Sequence, residues 1–203
     1  CYPALVGFVL PSASLMAQDA DLATADLALS GDVEGEAMET ILRRADPTFE
    51  GIPDLRPSAP PSRFRSADGF VVDLLTPRLR RGDETPMPLK GLRAGAIPLQ
   101  QLDWLIEAPV RALVLHGAGV EVLTPRPARF AVHKLIVAQK RPASEQAKRR
   151  KDLMQAKALI EALRRADPAE FEETLEEART RGRDGWARPI DRSLSQIGSS
   201  ASP

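Results

Sequence analysis

Residues 69–77 read GFVVDLLTP. Extended, the run is apolar on both faces and is closed by Thr76 and Pro77, which predicts a buried central strand. Asp73 sits in its middle, flanked by Val71, Val72, Leu74 and Leu75. A carboxylate buried in such a strand is costly unless a cation compensates it. That cation is either an arginine, such as Arg65, or a metal ion.

Upstream, residues 14–24 read SLMAQDADLAT. In an extended chain the period of two puts Asp19 and Asp21 on one face, with Ala20 and Leu22 on the other. Carboxylates that close repel, so either one is protonated or a cation lies between them. A surface turn is the plainer alternative for the pair. Three aspartates on adjacent strands suit magnesium, or manganese in its place, because these ions prefer oxygen ligands. Two such ions can clamp an in-line phosphoryl or nucleotidyl displacement.

Around these strands the chain divides by pattern. Residues 33–45, acidic early and closed by Arg43 and Arg44, predict a helix whose charges complement its dipole. Residues 46–63 contain five prolines and predict loop or edge. A second irregular stretch over residues 78–98 leads to a short segment at residues 102–106 of either type. Residues 110–125 read as two strands turning at Gly117 and Gly119. From there the period is helical. One helix is expected over residues 127–140, entered at proline, and another over 144–165, with an apolar face of Leu153, Ala156, Ile160 and Leu163. A third opens at Asp167 as N-cap, with Pro168 first and Glu170 placed for a capping box. Residues 193–203 are low in complexity and are expected to fray.

The 203 residues are 43% hydrophobic, enough for a core. Lysine plus arginine and aspartate plus glutamate number 28 each, so net charge points to no partner. Their distribution is uneven. Residues 19–54 hold ten acidic side chains against Arg43 and Arg44, and residues 126–165 hold twelve basic against Glu145, Asp152 and Glu161. Such parts could flank a cleft holding cations and a polyanion, or be two differently charged solvated surfaces. The one cysteine, Cys1, allows no intrachain disulfide and fits a reducing cytoplasm. No apolar run is long enough to span a membrane. The opening residues lack the basic lead of a signal peptide; they are expected to continue a native chain that begins earlier, a lipid-modified Cys1 being a remote alternative.

The segments MAQDADLA and GFVVDLLTP resemble the paired-carboxylate strand and the later single-carboxylate strand of the polymerase-β-like nucleotidyltransferase superfamily. The segment PRPARFAVHKLIVAQKR, followed by KRRKDLMQAKALIEAL, resembles the helical portion of an uncharacterised bacterial family within it, and a similar lysine, basic, aspartate order occurs in nucleotidyltransferase-like toxins of abortive-infection systems. The resemblance covers residues 2–163. It implies an α/β (α+β) fold, a mixed sheet with flanking helices over residues 1–125, then a helical region over 126–185 and a flexible tail over 186–203.

By the same resemblance Asp19 and Asp21 bind the metals, and Asp73 is the third ligand or the base for the attacking hydroxyl. Lys134 approaches the triphosphate, oriented by Asp152, with Lys151 and Arg129 as secondary phosphate contacts. Without the resemblance Lys134 and residues 148–151 read as solvated helix faces, while His133 reads as structural and His116 as a turn residue. Family members also carry a glycine turn before the aspartate pair that holds nucleotide phosphates. Its place lies upstream of Cys1, and Gly7 does not substitute for it. The reaction implied is transfer of a nucleotide from a magnesium-bound triphosphate to an acceptor hydroxyl, on RNA or protein. A non-catalytic nucleotide-binding or toxin–antitoxin-associated module of the same fold is the alternative. A metal nuclease would use the same aspartates but gives Lys134 no task.

Overall fold

A computed structural model of the chain describes residues 19–23, 35–54, 56, 59–78, 82, 85–114 and 119–199. They fall into two compact units, one reaching Ile106 and the other running from Glu107 onward. The first contains β1 (Asp19–Ala23), α1 (Met38–Ala45), β2 (Glu50–Gly51), β3 (Arg63–Arg65), β4 (Val71–Pro77), β5 (Met87–Leu89), β6 (Ala94–Leu99) and α2 (Leu102–Ile106). Its sheet runs β2-β3-β4-β6-β5, with β1 also paired to β4. The sheet is mixed: β4 is parallel to β1 and β6 and antiparallel to β3. Val71, Val72 and Asp73 pair with β1 and β3 at once, so those strands lie on opposite edges of β4.

The expected central strand is therefore present, but its two faces differ. Val72, Leu74 and Thr76 are buried, whereas Val71, Asp73, Leu75 and Pro77 are only half-buried. The buried face joins Phe64, Leu89, Ala94 and Ala96 under Met38 of α1 and Phe49, with Leu42, Phe70 and Leu92 at the margin. Asp73 stands on the other face. Its apolar neighbours in sequence, Val72 and Leu74, point away from it, because side chains alternate along a strand. The expected buried carboxylate thus keeps 18% of its side-chain surface exposed.

Residues 78–98, expected to be irregular, contain β5 and β6. Proline and glycine hide both strands in the sequence. Pro88 lies in the peripheral strand β5, and Gly95 is required by tertiary contact: a Cβ there would come within 2.9 Å of the Pro60 carbonyl oxygen, while its own N–H donates to Pro61. At residues 102–106 the ambiguity resolves to helix, with Trp104 and Leu102 buried.

The second unit contains β7 (Val110–Val114), β8 (Val120–Thr124), α3 (Pro127–Lys140), α4 (Gln146–Ala166), α5 (Pro168–Thr180) and α6 (Arg188–Ser199). The two strands pair antiparallel as expected, and Gly119 holds the left-handed φ of 90° that a tight return favours. Gly117 lies outside the described residues. Helix α3 is central, touching α4, α5 and α6. It is accordingly buried on most sides, at Ala128, Ala131, Val132, Leu135, Ile136 and Ala138. Helix α4 buries Ala156, Ile160 and Leu163 of its predicted face. Asp167 caps α5, accepting from the Glu170 N–H at 3.0 Å. The capping box is not closed from the other side: the Asp167 N–H donates to Leu163 at 2.8 Å, and the Glu170 carboxylate pairs with Arg126.

Residues 193–199, expected to fray, are the end of α6. Ile190 and Ser193 are fully buried. The Ser193 hydroxyl donates to the Leu135 carbonyl at 2.7 Å and accepts from Gln139 Nε2 at 2.8 Å. A serine-rich tail reads as solvated, but this serine completes a polar network inside the helix packing.

Candidate active site

Asp21 on β1 and Asp73 on β4 are direct partners in the parallel register. Strands in a sheet lie about 4.8 Å apart, and opposed residues share a face. Asp19 is opposite Val71, two residues earlier on the same strand; its side chain lies outside what is described. From the other edge of β4, Arg63 of β3 is opposite Asp73. Its Nε and Nη2 donate to the two Asp73 oxygens at 2.6 and 2.7 Å, a bidentate fork. The Arg63 guanidinium is held above its ordinary value chiefly by that bond. Burial opposes the shift, and the charges of Asp73 and then Asp21 add to it. One row across three strands thus carries Asp21, Asp73 and Arg63.

The arginine was foreseen in kind and missed by one pleat. Arg65 is opposite Val71, not Asp73. The register follows from a three-residue turn, Ala67-Asp68-Gly69, centred on Asp68, which sets residue 63 against residue 73; a two-residue Asp68-Gly69 turn would set residue 64 against it instead. That turn is well tied: the Phe70 N–H donates to Ser66 Oγ at 3.1 Å and to Asp68 Oδ1 at 3.2 Å. The Ser66 hydroxyl, and after it that amide, keep the Asp68 carboxyl below its usual range.

Oxygen donors on neighbouring strands suit magnesium in kind. Arg63 engages one lone pair on each Asp73 oxygen, and a carboxylate has about four acceptor sites, so further ligation remains open to Asp73. Among the described residues no group of three His, Cys, Asp or Glu side chains is arranged to hold a metal; Asp19 is not among those side chains.

Within the second unit Lys134 and Asp152 meet. Lys134 Nζ is 2.8 Å from Asp152 Oδ1, and Arg141 Nε is 3.0 Å from Oδ2. Asp152 is 3% exposed, so one buried carboxylate is answered by two cations, as burial of charge demands. Lys134 also lies over the Phe130 ring, 5.3 Å from its centre. Arg141 goes on to Glu145 at 3.2 Å, and Glu145 to Lys148 at 2.6 Å. Sequence reading placed Lys134 beside Asp152 and overlooked Arg141, which its position one residue beyond α3 concealed. Arg129 is bound to Glu107 at 2.7 Å and Glu177 at 3.5 Å, and the Glu107 carboxyl is lowered first by that hydrogen bond. Lys151 is exposed on α4, and His133 is buried on α3.

Among the described residues no helix is long and apolar enough to cross a membrane. No curated protein matches the chain. A family model described as nucleotidyltransferase matches residues 1–180, which takes in the aspartate strands, the Arg63–Asp73 hairpin and the Lys134–Asp152 helices. The chain belongs to that nucleotidyltransferase family.

Proposed function

We propose that the chain transfers a nucleotide from a magnesium-bound nucleoside triphosphate to an acceptor hydroxyl at the Asp21–Asp73 row. The observation that carries this reading is the register itself, which puts the second aspartate of the pair directly opposite the single aspartate of β4. Asp19, Asp21 and Asp73 would hold the ion or ions, which supply charge neutralisation on the phosphate oxygens when bound. Asp73 alternatively accepts the proton as the acceptor oxygen bonds to the α-phosphorus and the bond to pyrophosphate breaks. Arg63 orients Asp73 for either task through its bidentate fork. Lys134, fixed by Asp152, is the phosphate contact that the family resemblance implies, with Lys151 and Arg129 as lesser ones.

The test is label transfer from an α-labelled triphosphate with magnesium or manganese. Calorimetry is the simpler companion. An absence of magnesium-dependent triphosphate binding at millimolar concentration would return the protein to the alternative, a non-catalytic module of the same fold. One observation favours that alternative: Arg63 already neutralises Asp73 through both oxygens.

A further inference from the structure

Next to the Asp21–Asp73–Arg63 row lies a second row on the same sheet face. Arg65 is two residues beyond Arg63 on β3, so both point the same way. In register it stands between Val71 of β4 and Glu50 of β2. Arg63 is committed to Asp73, but among the described residues the exposed Arg65 side chain makes no hydrogen bond or ion pair, not even with Glu50 opposite it. Arg65 also borders a cavity of about 610 Å³, whose wall includes Thr48, Glu50, Gly51, Ser66 and Ala67. That volume is within the range of small-molecule sites, about 300–1,000 Å³.

The placement has a direction. β1 and β3 flank β4 on opposite edges, so the cavity lies beyond Asp73 on the side away from the aspartate pair. If Asp73 receives the acceptor hydroxyl, whatever else the acceptor carries reaches this side. The group waiting there is a guanidinium, whose planar fork matches phosphate oxygens. Diagonal neighbours on adjacent strands are about 7–8 Å apart, a span that one sugar phosphate bridges.

We propose that Arg65 anchors a phosphate ester of the acceptor, so that the acceptor is a sugar phosphate or the end of a nucleotide chain. The proposal rests on the transferase reading for the word acceptor; the phosphate seat itself does not. Glu50 is the opposing charge in the same cavity and weakens the seat.

The test is calorimetry on the full chain with ribose, ribose 5-phosphate and a short single-stranded oligonucleotide ending in a 3′-hydroxyl, each with magnesium present. The expected result is binding of at least one phosphate-bearing probe and none of ribose. Arg65→Ala should weaken that binding about tenfold, and Glu50→Gln should tighten it several-fold. Both residues are exposed, so neither change threatens the fold. Which phosphate probe binds identifies the source. Binding of neither, or equal binding by Arg65→Ala and wild type, overturns the proposal, as does weaker binding by Glu50→Gln. Failure of the transferase reading has a separate signature: no magnesium-dependent triphosphate binding by wild type, with Arg65-dependent phosphate binding intact.

Discussion

Asp21 and Asp73 are paired residue to residue across the parallel strands β1 and β4, and Arg63 closes on Asp73 from the antiparallel strand on its other edge. Two negative charges and one positive therefore share a single row of the sheet. The arginine lowers the repulsion between the carboxylates and competes with any other cation for Asp73.

That competition can be measured. Arg63→Ala should raise the affinity for manganese, followed by calorimetry or by the paramagnetic signal of the free ion, several-fold over wild type, because the donors occupying the Asp73 oxygens are gone and one positive charge is removed from the row. Unchanged or weaker manganese binding would show that Arg63 is no competitor.

Asp73→Asn should abolish label transfer while the fold survives. Asparagine keeps the size and loses both the charge and the basicity. The Arg63 side chain is 49% exposed, so water answers much of its lost partner and the stability cost should be about 1 kcal/mol or less. A collapse of the circular-dichroism melt would instead make Asp73 chiefly structural.

Lys134→Ala should weaken triphosphate binding and also lower stability, by about 1–2 kcal/mol, since Asp152 is buried and keeps only Arg141. At about 2–4 °C per kcal/mol for a chain of this size, the melting temperature should fall by several degrees. Asp152→Ala should cost more, because it leaves two cations facing each other. If Lys134→Ala loses stability but binds triphosphate as wild type does, the lysine serves the helix packing alone.

Ser193→Ala should destabilise α6 by about 1–2 kcal/mol, because Gln139 loses an acceptor in a buried network. The readout is earlier protease cleavage near residues 183–188, with wild-type behaviour expected from a control change at the exposed Ser195.

Acid should unfold the protein through its paired carboxylates. Glu107, held down first by Arg129, and Glu145, held down first by Lys148, have carboxyls below the ordinary value of 4.5. Groups lowered in the folded state contribute stability above 4.5 and lose it as pH falls through their folded values. Denaturant midpoints should therefore be flat from pH 8 to about 5 and drop below about 4.5. Glu107→Gln should make that drop shallower; an equally steep drop would remove Glu107 from the explanation.

The sequence by itself determined the elements whose pattern is local. The span of α3 is marked by its entry proline, the start of α5 by Asp167 and Pro168, and β4 by its apolar run. The spacing of two between Asp19 and Asp21 likewise followed from the chain alone. Tertiary structure decided the rest, because it depends on which residues meet from far apart. Strand alternation moved Asp73 off the apolar face, register chose Arg63 over Arg65 as its partner, and a distant Pro60 carbonyl explained the glycine in β6. Asp152 holds Arg141 as well as Lys134 because α3 and α4 pack together. The serine-rich end became a helix because Ser193 reaches Leu135, a contact across 58 residues that no local pattern announces.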